Sequence, residues 1–245
     1  MKNEKQWIPS KYRIAGGKLR VSLDAKELSP ASRVSANAVI NIYNRLFKDH
    51  LKGRLLDLGC GQVPFYGVYR SHVDEVYCVD WESSMHELSY IDQHADLTED
   101  LPLESESFDT VLLSSVLEHI PTPSRLIEEI YRVLRADGKA IINVPFLYVL
   151  HEEPYDFYRY TKHALVRMAE NASFTVEVLE PTGGAITVLF DLLSKALIRL
   201  PFGLSKLLYA TNFVAYLSLG TSLGKKFDVK TATFMPNGYF LVVRK

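Results

Sequence analysis

The sequence predicts an α/β fold, a doubly wound and mostly parallel sheet with a helical insertion before its last strand. Short apolar runs rich in β-branched residues occur at Arg54 to Leu58, Glu75 to Val79, Phe108 to Leu113 and Lys139 to Val144, and the segments between them read as helices or long turns. Strands spaced by helices require right-handed crossovers, which bury a parallel sheet on both faces. A chain of 245 residues is long enough for one domain with an elaboration, with no need of a disulfide or structural metal. Cys60 and Cys78 sit in apolar, strand-like surroundings without CxxC spacing, which indicates a reducing compartment and excludes a zinc ribbon. With 28 Lys and Arg against 29 Asp and Glu, the net charge of -1 argues against a nucleic-acid partner held by bulk electrostatics. Met1 to Ser10 is polar and has no signal-peptide character, so the expected location is the cytoplasm or the cytoplasmic face of a membrane.

Taken in order, residues 1–50 read as an N-terminal helical cover. Ala31 to Leu51 carries Val34, Ala38, Ile42, Leu46 and Phe47 on one side, with Ser29-Pro30 at its start, and should pack on the sheet or cover a site. The first strand then runs into Gly59-Cys60-Gly61-Gln62-Val63-Pro64. Glycines there allow a tight turn and let a ligand lie against bare peptide groups, while the helix that follows, with Pro64 in its first turn, offers unpaired N–H donors. A ligand would sit at the carboxyl end of this strand, although a purely structural turn uses the same residues. The second strand ends in Asp80, about 20 residues after the glycines, where an acid accepts hydrogen bonds from ribose hydroxyls. The plainer role for Asp80 is to cap a helix over Glu82 to Leu88. NAD would need a third glycine for its pyrophosphate, and that position is Pro64, which has no N–H. S-adenosyl-L-methionine carries no phosphate and is the cofactor the turn favours.

Leu55 to Gly61, Asp80, His94-Ala95-Asp96-Leu97, Phe108 to Ile120 and Arg132 to Lys139 come in an order and spacing that resemble the successive motifs of class I S-adenosylmethionine-dependent methyltransferases of the small-molecule, type 11-like kind. The resemblance implies a seven-stranded Rossmann-like sheet. It also implies that Asp57, Gly59, Cys60 and Gly61 lie under the methionine and ribose, that Asp80 holds the ribose with Trp81 beside the adenine, and that Asp96 with Leu97 faces the adenine amino group. Ser114 and Ser115 would border the methionine end, with Glu118 and His119 nearby. The helix from Pro123 to Leu134 rests on periodicity alone: Leu126, Ile127, Ile130, Val133 and Leu134 share one face, and Asp137-Gly138 supplies a stop.

After the fifth strand comes an aromatic segment, Pro145 to Thr161, at the sheet edge where acceptor must meet cofactor. Methyl transfer is an in-line displacement at a sulfonium, so the protein mainly aligns a nucleophile about 3 Å from the methyl and excludes water. Tyrosine faces stabilise such a cation by about 0.5 to 2 kcal/mol. For a hydroxyl acceptor His151 is the first candidate base and His119 the second, with an orienting or surface role as the alternative for either. Tyr155, Tyr158, Arg159 and Tyr160 are the candidate acceptor contacts, Arg159 for an acidic group, and Thr161 can cap a helix over Lys162 to Ala169. No metal is expected, because His151, Glu152, Glu153, Asp156 and His163 place no two histidines one helical turn apart and Pro154 breaks any helix between them.

Residues 51–180 and 238–245 read as the cofactor-binding domain, with strands at Phe174 to Glu180 and Gly238 to Val243 on either side of an insertion over 181–237. This connection far exceeds a loop of about 2 to 5 residues. In Ala185 to Leu200 the only charges are Asp191, Lys195 and Arg199, each four residues after the last, so they share one helix face and Asp191 can pair with Lys195. Pro201-Phe202-Gly203 breaks the helix. Leu207 to Gly224 then carries no charge, but polar residues dilute it, and the flanking strands belong to one sheet, which speaks against a span. The insertion is expected to form an apolar lid over the site or to bed into a bilayer surface with Lys206, Lys225 and Lys226 near head groups; ordinary core or dimer burial is the plainer alternative. The aromatic segment and the apolar insertion together point to a small-molecule, sugar or lipid-linked acceptor, methylated at oxygen. The other reading is an inactive methyltransferase fold whose insertion engages a partner or membrane.

Overall fold

The computed structural model describes residues 1–82, 90–200 and 205–245. After one 3-10 turn over Glu4–Gln6, the N-terminal cover opens on a β-hairpin and not on a helix. Tyr12–Ala15 (β1) pairs antiparallel with Lys18–Val21 (β2) across Gly16-Gly17, whose φ values of 58° and 70° are the left-handed pair that a two-residue hairpin turn requires. The expected helix follows. After a 3-10 turn over Pro30–Ser32, in which the Ser29 hydroxyl accepts from Ala31 N–H, Arg33–His50 (α1) buries Ile40, Tyr43, Leu46 and Phe47.

Seven strands form the main sheet: Arg54–Leu58 (β3), Glu75–Asp80 (β4), Gln93–His94 (β5), Phe108–Ser114 (β6), Leu134–Pro145 (β7), Thr175–Thr182 (β8) and Gly238–Arg244 (β9), in the order β5-β4-β3-β6-β7-β9-β8. Pairing is parallel from β5 to β7, while β9 runs antiparallel to both of its neighbours. Alternation along the strands sends side chains into two cores. Leu55, Cys78, Leu112 and Val242 pack with α1 and Tyr66–Tyr69 (α2), whereas Leu56, Leu58, Val111 and Leu113 pack with Pro123–Val133 (α3) and Lys162–Asn171 (α4). Both faces are therefore covered, as continuous apolar strands require. Thr161 caps α4 as expected, its hydroxyl accepting from Ala164 N–H. The stop expected at Asp137-Gly138 is instead a kink inside β7: the strand begins at Leu134, and Asp137 at φ 60° lies where the pairing with β6 shifts register.

Between β8 and β9 lie Ala185–Arg199 (α5), Ser205–Gly220 (α6) and Ser222–Thr231 (α7). The uncharged run is thus cut at Thr221, whose hydroxyl accepts from Gly224 N–H to cap α7. The break at Pro201-Phe202-Gly203 and most of the helix read after Asp80 lie outside the described residues. The insertion packs on α1 and the Pro30–Ser32 turn with its polar side inward. Asp191 and Lys195 form a buried ion pair, Thr187 donates from N and Oγ1 to Asp228, and Asn212 donates to Pro30 O. Its apolar side faces out: Leu189, Leu193, Phe213, Leu217, Leu223 and Val229 are all exposed. No described residue of the three helices lines the site cavity, which overturns the lid. Among the described residues no helix is long and apolar enough to cross a membrane.

Candidate active site

The carboxyl ends of β3, β4 and β6 open into a cavity of about 820 Å³, within the range of small-molecule sites. Leu55, Leu56 and Leu58 fix β3 in the core, and the chain then turns sharply at Gly59, φ 72°, and Gly61, φ 51°. A Cβ on Gly59 would stand 2.5 Å from Val116 Cγ2, so this is a close approach that only glycine permits. Gly59 N–H and Cys60 N–H both donate to Val79 O, which ties the turn to β4. Asp80, at the end of β4, accepts from Gly61 N–H and Trp81 N–H at 2.5 and 2.7 Å. Its carboxylate therefore shapes the turn where it borders the cavity.

All nine expected cofactor residues, Asp57, Gly59, Cys60, Gly61, Asp80, Trp81, Asp96, Leu97 and Ser114, line this one cavity. Asp57 is buried and accepts from Tyr69 OH at 2.7 Å. Burial pushes its carboxyl up to about 7, the tyrosine opposing and the Asp80 charge adding to the rise. Asp96 accepts from Thr98 N–H and Oγ1–H, a local cap that holds its loop. Cys60 and Cys78 are both free and buried, and the contact between them and their burial push the Cys60 thiol up.

The acceptor end is built by the turn after β6 and the segment after β7. His119, His151 and Tyr155 line the cavity, Tyr155 set edge-on to Trp81 with ring centroids 5.6 Å apart. Glu118, expected only as a neighbour, is fully buried there. Its Oε1 lies 3.7 Å from His151 Nε2 and 3.8 Å from His119 Nε2. His119 Nδ1 is 2.9 Å from Tyr155 O, and His151 Nδ1 is 3.3 Å from Asp156 Oδ2. Burial disfavours the charged His151, but Glu118, Asp156 and Glu152 outweigh it and its pKa is raised. Arg159 holds Asp156 far below the usual carboxylate range.

Three expected acceptor contacts lie elsewhere. Arg159 grips Asp156 with both terminal nitrogens, at 2.5 and 2.7 Å, and donates to Val149 O, so its charge is already spent. Tyr160 is buried with its hydroxyl on Leu117 O, and Tyr158 donates to Pro121 O; none of these residues lines the cavity. The cavity wall instead includes Lys11, Tyr12 and Leu28 from the N-terminal segment. The sequence held one signal for this wall, since Gly16-Gly17 between two short runs is a hairpin turn.

Comparison with known proteins fits this geometry. A SAM dependent methyltransferase from Archaeoglobus fulgidus superposes with a TM-score of 0.55 at 20% identity, covering 88% of this chain and 94% of that one. An S-adenosylmethionine dependent methyltransferase from Mesorhizobium loti gives 0.55 at 15% identity, with 86% and 100% covered. Identities this low speak for the fold. In sequence, an uncharacterized protein of Methanocaldococcus jannaschii is 36% identical over 89 residues, which is 35% of this chain and 42% of that protein, so the match spans less than half of that relative. The profile of a family described as a methyltransferase domain matches residues 56–142, the stretch from β3 to β7 that carries the turn and its acids. This match covers 87 of the chain's 245 residues, and over that stretch the chain is similar to the methyltransferase domain family.

Proposed function

We propose that this protein is a methyltransferase that moves the methyl group of S-adenosyl-L-methionine to a hydroxyl oxygen of a small-molecule, sugar or lipid-linked acceptor. The observation that carries the reading is a single cavity with the glycine turn and Asp80 among its lining residues, and with Glu118, His119 and His151 among them too. The first group fits a cofactor and the second fits an acceptor that must give up a proton. In the transfer, the acceptor oxygen attacks the methyl carbon in line, the C–S bond breaks, and neutral S-adenosylhomocysteine leaves. The sulfonium supplies the leaving group, so the chain's task is alignment and exclusion of water. The acceptor's proton is lost at this carboxylate- and imidazole-lined end of the cavity. Tyr155 and Trp81 offer aromatic surface to a ring or sugar face at the same wall.

A lipid-linked acceptor is favoured by the outward apolar side of the insertion. Tyr209, Phe213 and Leu217 recur four residues apart on α6 and are all exposed, and Lys206 on α6 and Lys225, Lys226 and Lys230 on α7 are exposed as well. A peripheral contact with an anionic membrane surface fits this combination. Calorimetry with S-adenosylmethionine, followed by transfer of labelled methyl to extracted lipid and saccharide fractions, tests the reading. The protein is expected to bind the cofactor, Asp80→Leu to lose it, and His151→Ala to keep it while turnover falls. A folded wild-type chain that binds no S-adenosylmethionine would overturn it.

A further inference from the structure

Glu118 poses a physical problem. It is fully buried, and among the described residues neither carboxylate oxygen has a hydrogen-bond donor in range. An isolated buried carboxylate is strongly disfavoured and is normally paired or bound to a metal. Its nearest nitrogens, His151 Nε2 at 3.7 Å and His119 Nε2 at 3.8 Å, are too distant for hydrogen bonds. Those separations lie just above the spacing of ligands that share one ion: with metal–ligand bonds of about 2.0–2.2 Å, neighbouring atoms of a tetrahedral set stand about 3.3–3.6 Å apart, so a small inward shift would close the set on an ion. Glu118, His119 and His151 offer donor atoms that all lie within 4.8 Å of one another.

The outer contacts of both rings point the same way. Tyr155 O can only accept, so His119 carries its proton on Nδ1 and turns the Nε2 lone pair inward. Asp156 stands against Nδ1 of His151, and Arg159 fixes that carboxylate in turn. A histidine oriented by a carbonyl or carboxylate through its far nitrogen is the usual support of a metal ligand. The spacing of residues 151 to 163 in the chain argued against a metal, but the turn after β6 supplies two of these three donors.

We propose that Glu118, His119 and His151 hold a divalent transition-metal ion whose remaining positions open into the cavity toward the acceptor oxygen. The site rests on the hydroxyl-acceptor reading above and says how the proton is lost. The acceptor hydroxyl binds the ion through oxygen and becomes more acidic, and its proton passes to Glu152, exposed at the rim with Oε2 3.7 Å from His119 Nε2, and on to solvent. The oxygen then forms the C–O bond as the C–S electron pair returns to sulfur.

Protein stripped with a chelator and titrated with ZnCl2, MnCl2 or CoCl2 tests the site. The expected result is one equivalent bound, with the cobalt form showing visible d–d bands and no thiolate band, since Cys60 and Cys78 lie outside the set. Glu118→Gln and His151→Ala should lose this binding, and Asp156→Asn should weaken it about 10–100-fold. Metal-free Glu118→Gln, relieved of the buried charge, should melt above the metal-free wild type, and added metal should raise only the wild type. A stripped wild-type protein that binds S-adenosylmethionine but none of the three ions overturns the metal site and leaves the methyltransferase reading standing. Equal metal binding by wild type and variants overturns it too. Failure to bind S-adenosylmethionine would instead sink the reading beneath it.

Discussion

Gly59 and Asp57 show how closely single residues are fixed at the cofactor end. Gly59 combines φ 72° with a contact that a side chain would bring to 2.5 Å from Val116. Gly59→Val is therefore expected to cost about 1–3 kcal/mol of stability from strain alone and to abolish S-adenosylmethionine binding, as read by thermal melts and calorimetry. Asp57 has a pKa raised from 3.8 to about 7 by burial. The unfolded chain ionises this group above about pH 4, while the folded chain keeps its proton to about 7. The folded state thus holds more protons across that window, and stability contributed by this group falls as pH rises through it, then levels off. Asp57→Asn, which keeps an acceptor for Tyr69, should flatten that part of the melting-temperature profile; an unchanged slope would refute the assignment. The glycines and Asp80 were legible because their chemistry requires a fixed place on a strand end. Arg159 and Tyr160 were not, because nothing in their spacing reveals that Asp156 and Leu117 O already hold them.

Among the elements, the strands were easy to read and the insertion hard. Five to seven apolar residues between turn signals admit few alternatives in a doubly wound sheet, and β3 matches its expected bounds. The hairpin β1–β2 is short and half exposed, so it lacked an apolar signal and only its glycines marked it. For α5, the four-residue spacing correctly placed Asp191 beside Lys195 and said nothing about which side faces the protein. The answer is the charged side. Asp191 and Lys195 are both buried, and the Lys195 ammonium also sits 4.0 Å from the Tyr148 ring centroid. Asp191→Ala should strand that ammonium and cost about 3–5 kcal/mol, whereas the paired change Asp191→Leu with Lys195→Met should be near neutral. Equal losses in both, by chemical denaturation, would contradict this account.

For the whole molecule, the outward apolar side of α5 and α6 separates two roles that one chain combines. Replacing Leu193, Phe213 and Leu217 with Ser should change stability by no more than about 0.5 kcal/mol at each site, because these side chains are exposed. The same variant should bind S-adenosylmethionine unchanged yet lose flotation with anionic vesicles. Wild-type protein that stays monomeric at the bottom of the gradient would remove the membrane contact from the proposal.

The position of β9 has a consequence for how the chain matures. Gly238–Arg244 follows the insertion in sequence yet lies inside the sheet, hydrogen-bonded to β7 on one side and β8 on the other. During synthesis the ribosome delivers the greasy helices before the strand that closes the gap, so nascent chains carry two open ladders and an unshielded oily flank at once. Such an intermediate invites misassociation, and a chaperone or an early encounter with lipid would shelter it until the keystone strand slots home.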